Sequence, residues 1–166
     1  HNPYLEDFYH DMHKWAFPLQ IYFLHSRFNQ VIEVRRSEHT VIQDRTIYED
    51  AFIFAQNLRQ SGYLTERDFQ NYFSLFQSMT GLIQAPDLLI YLRTSISKLQ
   101  KQIARRGRSY EQNMDVSYLE DLNRNYEEWI EGYKGGQLLI VESDDLDYVE
   151  RPEDLQFIID KIEQYS

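Results

Sequence analysis

"PDLLIYLRTSISKLQKQIARRGRSYE" (Pro86–Glu111) changes its hydrophobic period in the middle. Asp87–Leu92 is a short run of Leu, Ile and Tyr behind a proline, the pattern of a buried β-strand. From Ser95 to Gly107 the apolar residues Ile96, Leu99 and Ile103 recur at helical spacing, with Ser95 placed to cap the first turn. A strand that runs straight into a capped helix is the opening of a βαβ unit, so other strands are sought on either side.

Two more short apolar runs qualify, "TVIQD" (Thr40–Asp44) and "QLLIVE" (Gln137–Glu142). Between the runs lie long helical patterns. Leu5–Val34 is one, expected to kink or shift at Pro18. Ile47–Gly62 ends on a glycine C-cap, and Glu66–Ile83 follows. Ser117–Tyr133 opens on "SYLE", which reads as a capping box, and Arg151–Gln164 has proline in its first turn. The alternation predicts an α/β fold, a parallel sheet flanked by helices, with Gln43–Asp44, Leu92–Arg93 and Val141–Glu142 at strand C-terminal ends. Such sheets rarely stop at three strands, so a further N-terminal strand is expected to be lacking from the chain. No repeat or linker divides residues 1–166, which read as a single, N-terminally incomplete domain.

Composition narrows the function. The 166 residues carry 27 acidic and 17 basic side chains, a formal charge of −10. A broad nucleic-acid surface is basic, so nucleic acid is not the expected partner. There is no cysteine, which excludes disulfides and thiolate metal sites. No apolar run reaches membrane-span length, and "HNPYLEDFYH" is no signal peptide; a cytoplasmic protein without membrane contact is expected. Thirteen Tyr and ten Phe are enough to line a pocket for a flat ligand as well as a core.

Against the acidic background, "RRGRSYE" (Arg105–Glu111) concentrates three arginines around Gly107. Arg105 fits a helix C-terminus facing the macrodipole. Arg106 and Arg108 flank the glycine and fit guanidinium forks that meet a phosphoryl group. "QDRTIYED" (Gln43–Asp50) places Asp44 and Arg45 where a strand passes into a helix, the edge at which α/β sheets bind ligands. Two readings stand side by side there: Asp44 caps the helix and Arg45 is solvated, or Asp44 helps hold Mg²⁺ and Arg45 donates to substrate. Tyr9, Gln20 and Arg27 lie at intervals of 11 and 7, on one helical face, with Gln20 among Trp15, Phe17, Ile21 and Phe23. A glutamine amide in that setting can pair with a nucleobase edge or simply face water. His10, His13, His25 and His39 are scattered and read as solvated.

These pieces, in this order, resemble the deoxyribonucleoside kinases, specifically their bacterial deoxyadenosine/deoxyguanosine kinase-like branch. The stretches that carry the resemblance are "NPYLEDFYHDMHKWAFPLQIYFLHSRF", "DRTIYEDAFIFAQNL", "PDLLIYLRTS", "RRGRSYEQ" and "YLEDLNRNYEEWI". It implies a P-loop kinase fold and transfer of the ATP γ-phosphate to the 5′-hydroxyl of a deoxyribonucleoside, in nucleotide salvage, with ATP and Mg²⁺ and as a homodimer. It implies that Gln20 binds the base, with Phe54 stacking beside it and Trp15 and Phe17 at the pocket wall. Arg27 and Asp50 match the polar end of the base pocket, which favours purines. Tyr9 and Glu111 match the residues that hold the 3′-hydroxyl, Arg45 the 5′-oxygen, Asp44 the Mg²⁺ neighbour, Arg106 and Arg108 the lid. Asp147 and Tyr148 match the surroundings of the ATP adenine.

The family also has a GxxxxGK[ST] loop and a general-base glutamate upstream of the stretch matching "NPYLE". None of the six glycines precedes Lys-Ser or Lys-Thr. Both elements are therefore expected to precede residue 1, and the 166 residues by themselves are expected not to turn over. A thymidylate-type nucleoside monophosphate kinase shares an Asp-Arg motif and an arginine lid, but Tyr9 with Glu111 suits a free sugar hydroxyl better. A noncatalytic nucleoside-binding or dimerisation partner is the alternative from another class.

Overall fold

The computed structural model describes residues 2–107 and 115–165. Its elements are α1 (Leu5–His10), α2 (Met12–Arg36), α3 (Ile47–Glu49), a π-helical segment (Asp50–Ala55), α4 (Gln56–Gln60), α5 (Glu66–Thr80), β1 (Leu88–Arg93), α6 (Ile96–Arg106), α7 (Val116–Glu131), β2 (Gln137–Glu142) and α8 (Pro152–Glu163). They fall into two compact units, His1–Gln84 with Asp121–Trp129, and Ala85–Glu120 with Ile130–Ser166.

The first unit is helical. The single helix expected over Leu5–Val34 is broken at Asp11, not at Pro18. Asp11 leaves helical geometry (φ −148°, ψ 87°), and its carboxylate accepts from the Lys14 amide at 3.1 Å, so the residue that ends α1 also caps α2. Pro18 sits inside α2. An interior proline costs about 3 kcal/mol, offset here because Ala16, Leu19, Gln20 and Leu24 are all buried along the helix. Phe69, Tyr72 and Phe76 recur at 3 and 4 residues along α5 and join Leu19, Leu24, Ile47, Ala51 and Leu58 in one core. Gly62 adopts φ +77° just past α4, and its N–H returns to the Arg59 carbonyl at 3.1 Å, the glycine stop read from the sequence.

Thr40–Asp44 is not a strand. The residues are irregular, and Val41 and Ile42 are 44% and 88% exposed. β-Branched residues favour strands only where a ladder partner and a packed face exist. Among the described residues no segment pairs with this one, so Gln43–Asp44 does not stand at a strand end.

The second unit holds a parallel pair, β1 on β2, in register from Leu88↔Gln137 to Arg93↔Glu142. Leu92–Arg93 and Val141–Glu142 accordingly share one edge, as expected. Residues paired in a parallel ladder share a face, and Leu88, Ile90, Leu139 and Val141 pack with Ile158 and Ile162 of α8. A Cβ on Gly136 would lie 3.0 Å from the Pro86 carbonyl, so glycine permits the close approach where the two strands begin. Ser95 caps α6 by accepting from the Lys98 amide at 3.3 Å, and Pro152 opens α8. The start of α7 differs from expectation. Asp115, rather than Ser117, supplies the capping oxygen, to the Ser117 amide at 3.0 Å.

Candidate active site

The "DRTIYED" turn is fixed by its own side chains. Thr46 Oγ1 accepts from the Tyr48 amide at 3.2 Å, and the Glu49 carboxylate reaches back to the Thr46 amide, a complete capping box. Capping therefore falls to Thr46. Asp44 is therefore not the cap, while Arg45 is exposed as the solvated reading has it; the exposed Asp44 carboxylate lies beside a cleft of about 570 Å³ that Arg27, Gln30 and Glu33 also line. Arg45 adopts φ +62°, left-handed backbone that costs a non-glycine residue roughly 1 kcal/mol. Its guanidinium lies 4.6 Å from the centre of the Phe54 ring, a cation–π contact that helps hold the strained residue.

The π-helical segment decides where the next side chains go. Its wider turn sends Asp50 into the core, 3% exposed, where a carboxylate oxygen meets Arg27 Nε at 3.3 Å. Phe54, four residues on, lies beneath Arg45. Gln20, also on α2, is 2% exposed, and among the described residues its Oε1 has no hydrogen-bond donor. An orphan buried acceptor costs about 1–3 kcal/mol, the kind of cost kept where a ligand later supplies the donor. Tyr9 is half-buried and meets Phe8 edge-on at 5.3 Å. Trp15 is engaged by Tyr4 at 5.8 Å and by the Lys14 ammonium at 4.8 Å, while Phe17 packs on the core. Arg27–Asp50 and Arg45–Phe54 are thus brought into direct contact.

Burial raises the Asp50 carboxyl to about 6, outweighing the opposing pull of Arg27 and Arg45. Burial raises Glu49 as well. At neutral pH Asp50 is still mostly the anion that Arg27 needs, but mild acid protonates it. Protonation removes the acceptor that Arg27 meets, so any activity that depends on this pair should fall as pH drops through about 6. A pH–rate profile of Asp50→Asn should lack that acid limb; an unchanged limb would place the titrating group elsewhere.

Sequence reading missed Tyr126. Its ring stands edge-on to Phe54 at 6.4 Å, and burial raises its phenol, with Glu49, Arg45, Asp50 and Asp44 all in electrostatic reach. The signal was available, since Leu119, Leu122, Tyr126 and Trp129 form one stripe along α7.

In the second unit Arg106 is exposed at the last turn of α6, and Gly107 follows at φ +68°. Arg105 pairs with Glu150 at 2.6 Å and Asp147 at 3.7 Å, a surface role as read from the sequence. Asp147 accepts from the Glu150 amide at 3.2 Å, and Tyr148 packs beside Leu139, Val141 and Ile158. Arg108 and Glu111 lie outside the described residues.

Residues 1–165 match the family described as deoxynucleoside kinase. The chain belongs to the deoxynucleoside kinase family. It is 38% identical over 164 residues to the deoxyadenosine/deoxycytidine kinase of Bacillus subtilis (strain 168), covering 98% of this chain and 76% of the relative. It is 35% identical to a deoxyguanosine kinase of Lactobacillus acidophilus, covering 97% and 74%. The deoxyadenosine kinase of M. mycoides, solved with dCMP and a flexible dCDP, superposes with a TM-score of 0.85 at 30% identity, covering 98% of this chain and 81% of that one. The architecture is that of the P-loop kinases, and as a deoxynucleoside kinase-family enzyme the protein uses ATP. Among the described residues no helix is long and apolar enough to cross a membrane.

Proposed function

We propose that this enzyme is a cytoplasmic salvage kinase that moves the ATP γ-phosphoryl group to the 5′-hydroxyl of a purine deoxynucleoside. Deoxyadenosine or deoxyguanosine ranks first, deoxycytidine next, thymidine last. The observation that carries this reading is the Arg27–Asp50 pair, part-buried at Arg27 and buried at Asp50, with Arg27 two helical turns along α2 from Gln20, whose carbonyl oxygen has no donor among the described residues. An exocyclic amino group supplies that donor, and the ion pair offers both a donor and an acceptor to a purine edge or to cytosine. The same pair fills the space a thymine methyl needs. Relatives named for deoxyadenosine, deoxyguanosine and deoxycytidine support a substrate drawn from these three.

The remaining roles follow from the same reading. Phe54 stacks beside the base, and Tyr9 with Glu111 holds the 3′-hydroxyl. Arg45, preset by its left-handed backbone, donates to the 5′-oxygen as negative charge builds there. Asp44 fits Mg²⁺, because its carboxylate is exposed and not used in capping; the ion, when bound, would neutralise charge on the phosphates. Arg106 and Arg108 meet the phosphates in flight, and Asp147 and Tyr148 lie toward the adenine. The protein acts as a homodimer through Ala51–Leu58 and Phe69–Phe76, where Phe52 and Leu75 are 38% and 43% exposed. Light scattering should give twice the chain mass at micromolar concentration; a monomer contradicts the dimer without touching the substrate reading. The function itself is tested by kcat/KM for the four deoxynucleosides with ATP. Thymidine as the best substrate would overturn it.

A further inference from the structure

The turn after β2 is tied down by a side chain with no role in the reading above. Lys98, half-buried in the first turns of α6, donates its ammonium protons to three backbone carbonyls, those of Ser143, Asp144 (2.9 Å) and Leu146 (2.5 Å). An ammonium has three donors, so the set is complete. The same turn is held from the other direction. The Asp144 carboxylate accepts from the Ser95 amide at 2.7 Å, and the Ser143 amide donates to the Arg93 carbonyl at 2.9 Å. At the far end of α6, Arg105 reaches Glu150 and Asp147 of the same segment. Residues 143–150 are therefore strapped along α6, with one half-buried fastening and one exposed one.

We propose that Lys98 is a positioning residue for the phosphate donor. The strap makes α6 and the 143–150 segment one rigid piece. The arginine at the end of the helix, Arg106, then keeps a fixed distance from Asp147 and Tyr148. An arginine on the triphosphate and groups beside the adenine must match the length of one nucleotide, and loose attachment between them wastes that match. The proposal rests on the reading of Arg106, Asp147 and Tyr148 as donor-side residues. Charge-assisted bonds to carbonyls are the stronger kind, so their loss is expected to weaken donor binding measurably. Lys98, Arg105 and all their partners named here belong to the second unit.

The test uses Lys98→Ala in the full-length enzyme. KM for ATP should rise about tenfold, the scale of one lost charge-assisted bond, with KM for the deoxynucleoside within about twofold of wild type. The substitution leaves the three carbonyls in place, so methylammonium should restore the ATP KM in part, whereas tetramethylammonium, which has no N–H, should not. Were Lys98→Ala not to fold, Lys98→Met, which keeps the stem, and Arg105→Gln, which opens only the exposed fastening, should each still raise the ATP KM selectively. Equal changes in both KM values, an unchanged ATP KM, or no difference between the two amines would overturn the proposal. Arg106→Ala measured alongside separates the two failures. If it leaves donor kinetics untouched, the donor-side reading is wrong; if it impairs them while the Lys98 variants are normal, only the strap falls.

Discussion

Arg106→Ala should lower kcat of the full-length enzyme by about 10²-fold, the scale of losing one preorganised transition-state donor. The residue is exposed at the last turn of α6 and is followed by a glycine at φ +68°, so its guanidinium stands at a point where the backbone turns away from the helix. A phosphoryl group in flight spreads charge over its equatorial oxygens, and a planar fork stabilises that charge more than it stabilises bound ATP. Deoxynucleoside KM should therefore change little. Arg108→Ala is expected to behave alike. Turnover within a few-fold of wild type would make both residues surface charge.

The second large effect is on specificity. The Arg27→Met/Asp50→Ala double variant should lose about 10²-fold or more in kcat/KM for its best purine deoxynucleoside, because a site built on buried polar groups discriminates by what it would leave unpaired. Thymidine should lose far less, or gain, since methionine and alanine free the space near its methyl. Removing both partners together matters. Arg27→Met alone would leave the Asp50 carboxylate buried without its mate, which costs stability as well as recognition. A double variant with the wild-type ranking would show that the pair, at 3.3 Å, is a structural ion pair only.

The sequence was most legible where local chemistry decides the outcome. Ser95 and Gly62 stand as the expected cap and stop, β2 runs over the expected residues, and β1 is shifted by one, to Leu88–Arg93. It was least legible where a segment depends on a distant partner. Thr40–Asp44 has strand composition, yet a ladder is a property of two segments, and none of the described ones pairs with it. The π-helical turn was also invisible, because "YEDAFIFAQN" has ordinary helical composition and the widened turn follows from packing Asp50 and Ala51 inward while Phe54 stays half-buried. The same limit applies to the site. Asp44 and Arg45 stand out by residue type and Gln20 and Arg27 take their roles from the family resemblance, whereas the left-handed Arg45, its stacking on Phe54 and the nearby Tyr126 depend on tertiary structure.

A crystal structure of the full-length enzyme with deoxyadenosine tests the central claim most directly. The account predicts the adenine edge within hydrogen-bond distance of the Gln20 amide and of the Arg27–Asp50 pair, with its exocyclic amino group donating to the now unpartnered Gln20 Oε1. Adenine bound elsewhere, with Gln20 still unpartnered and the ion pair facing only protein, would contradict it.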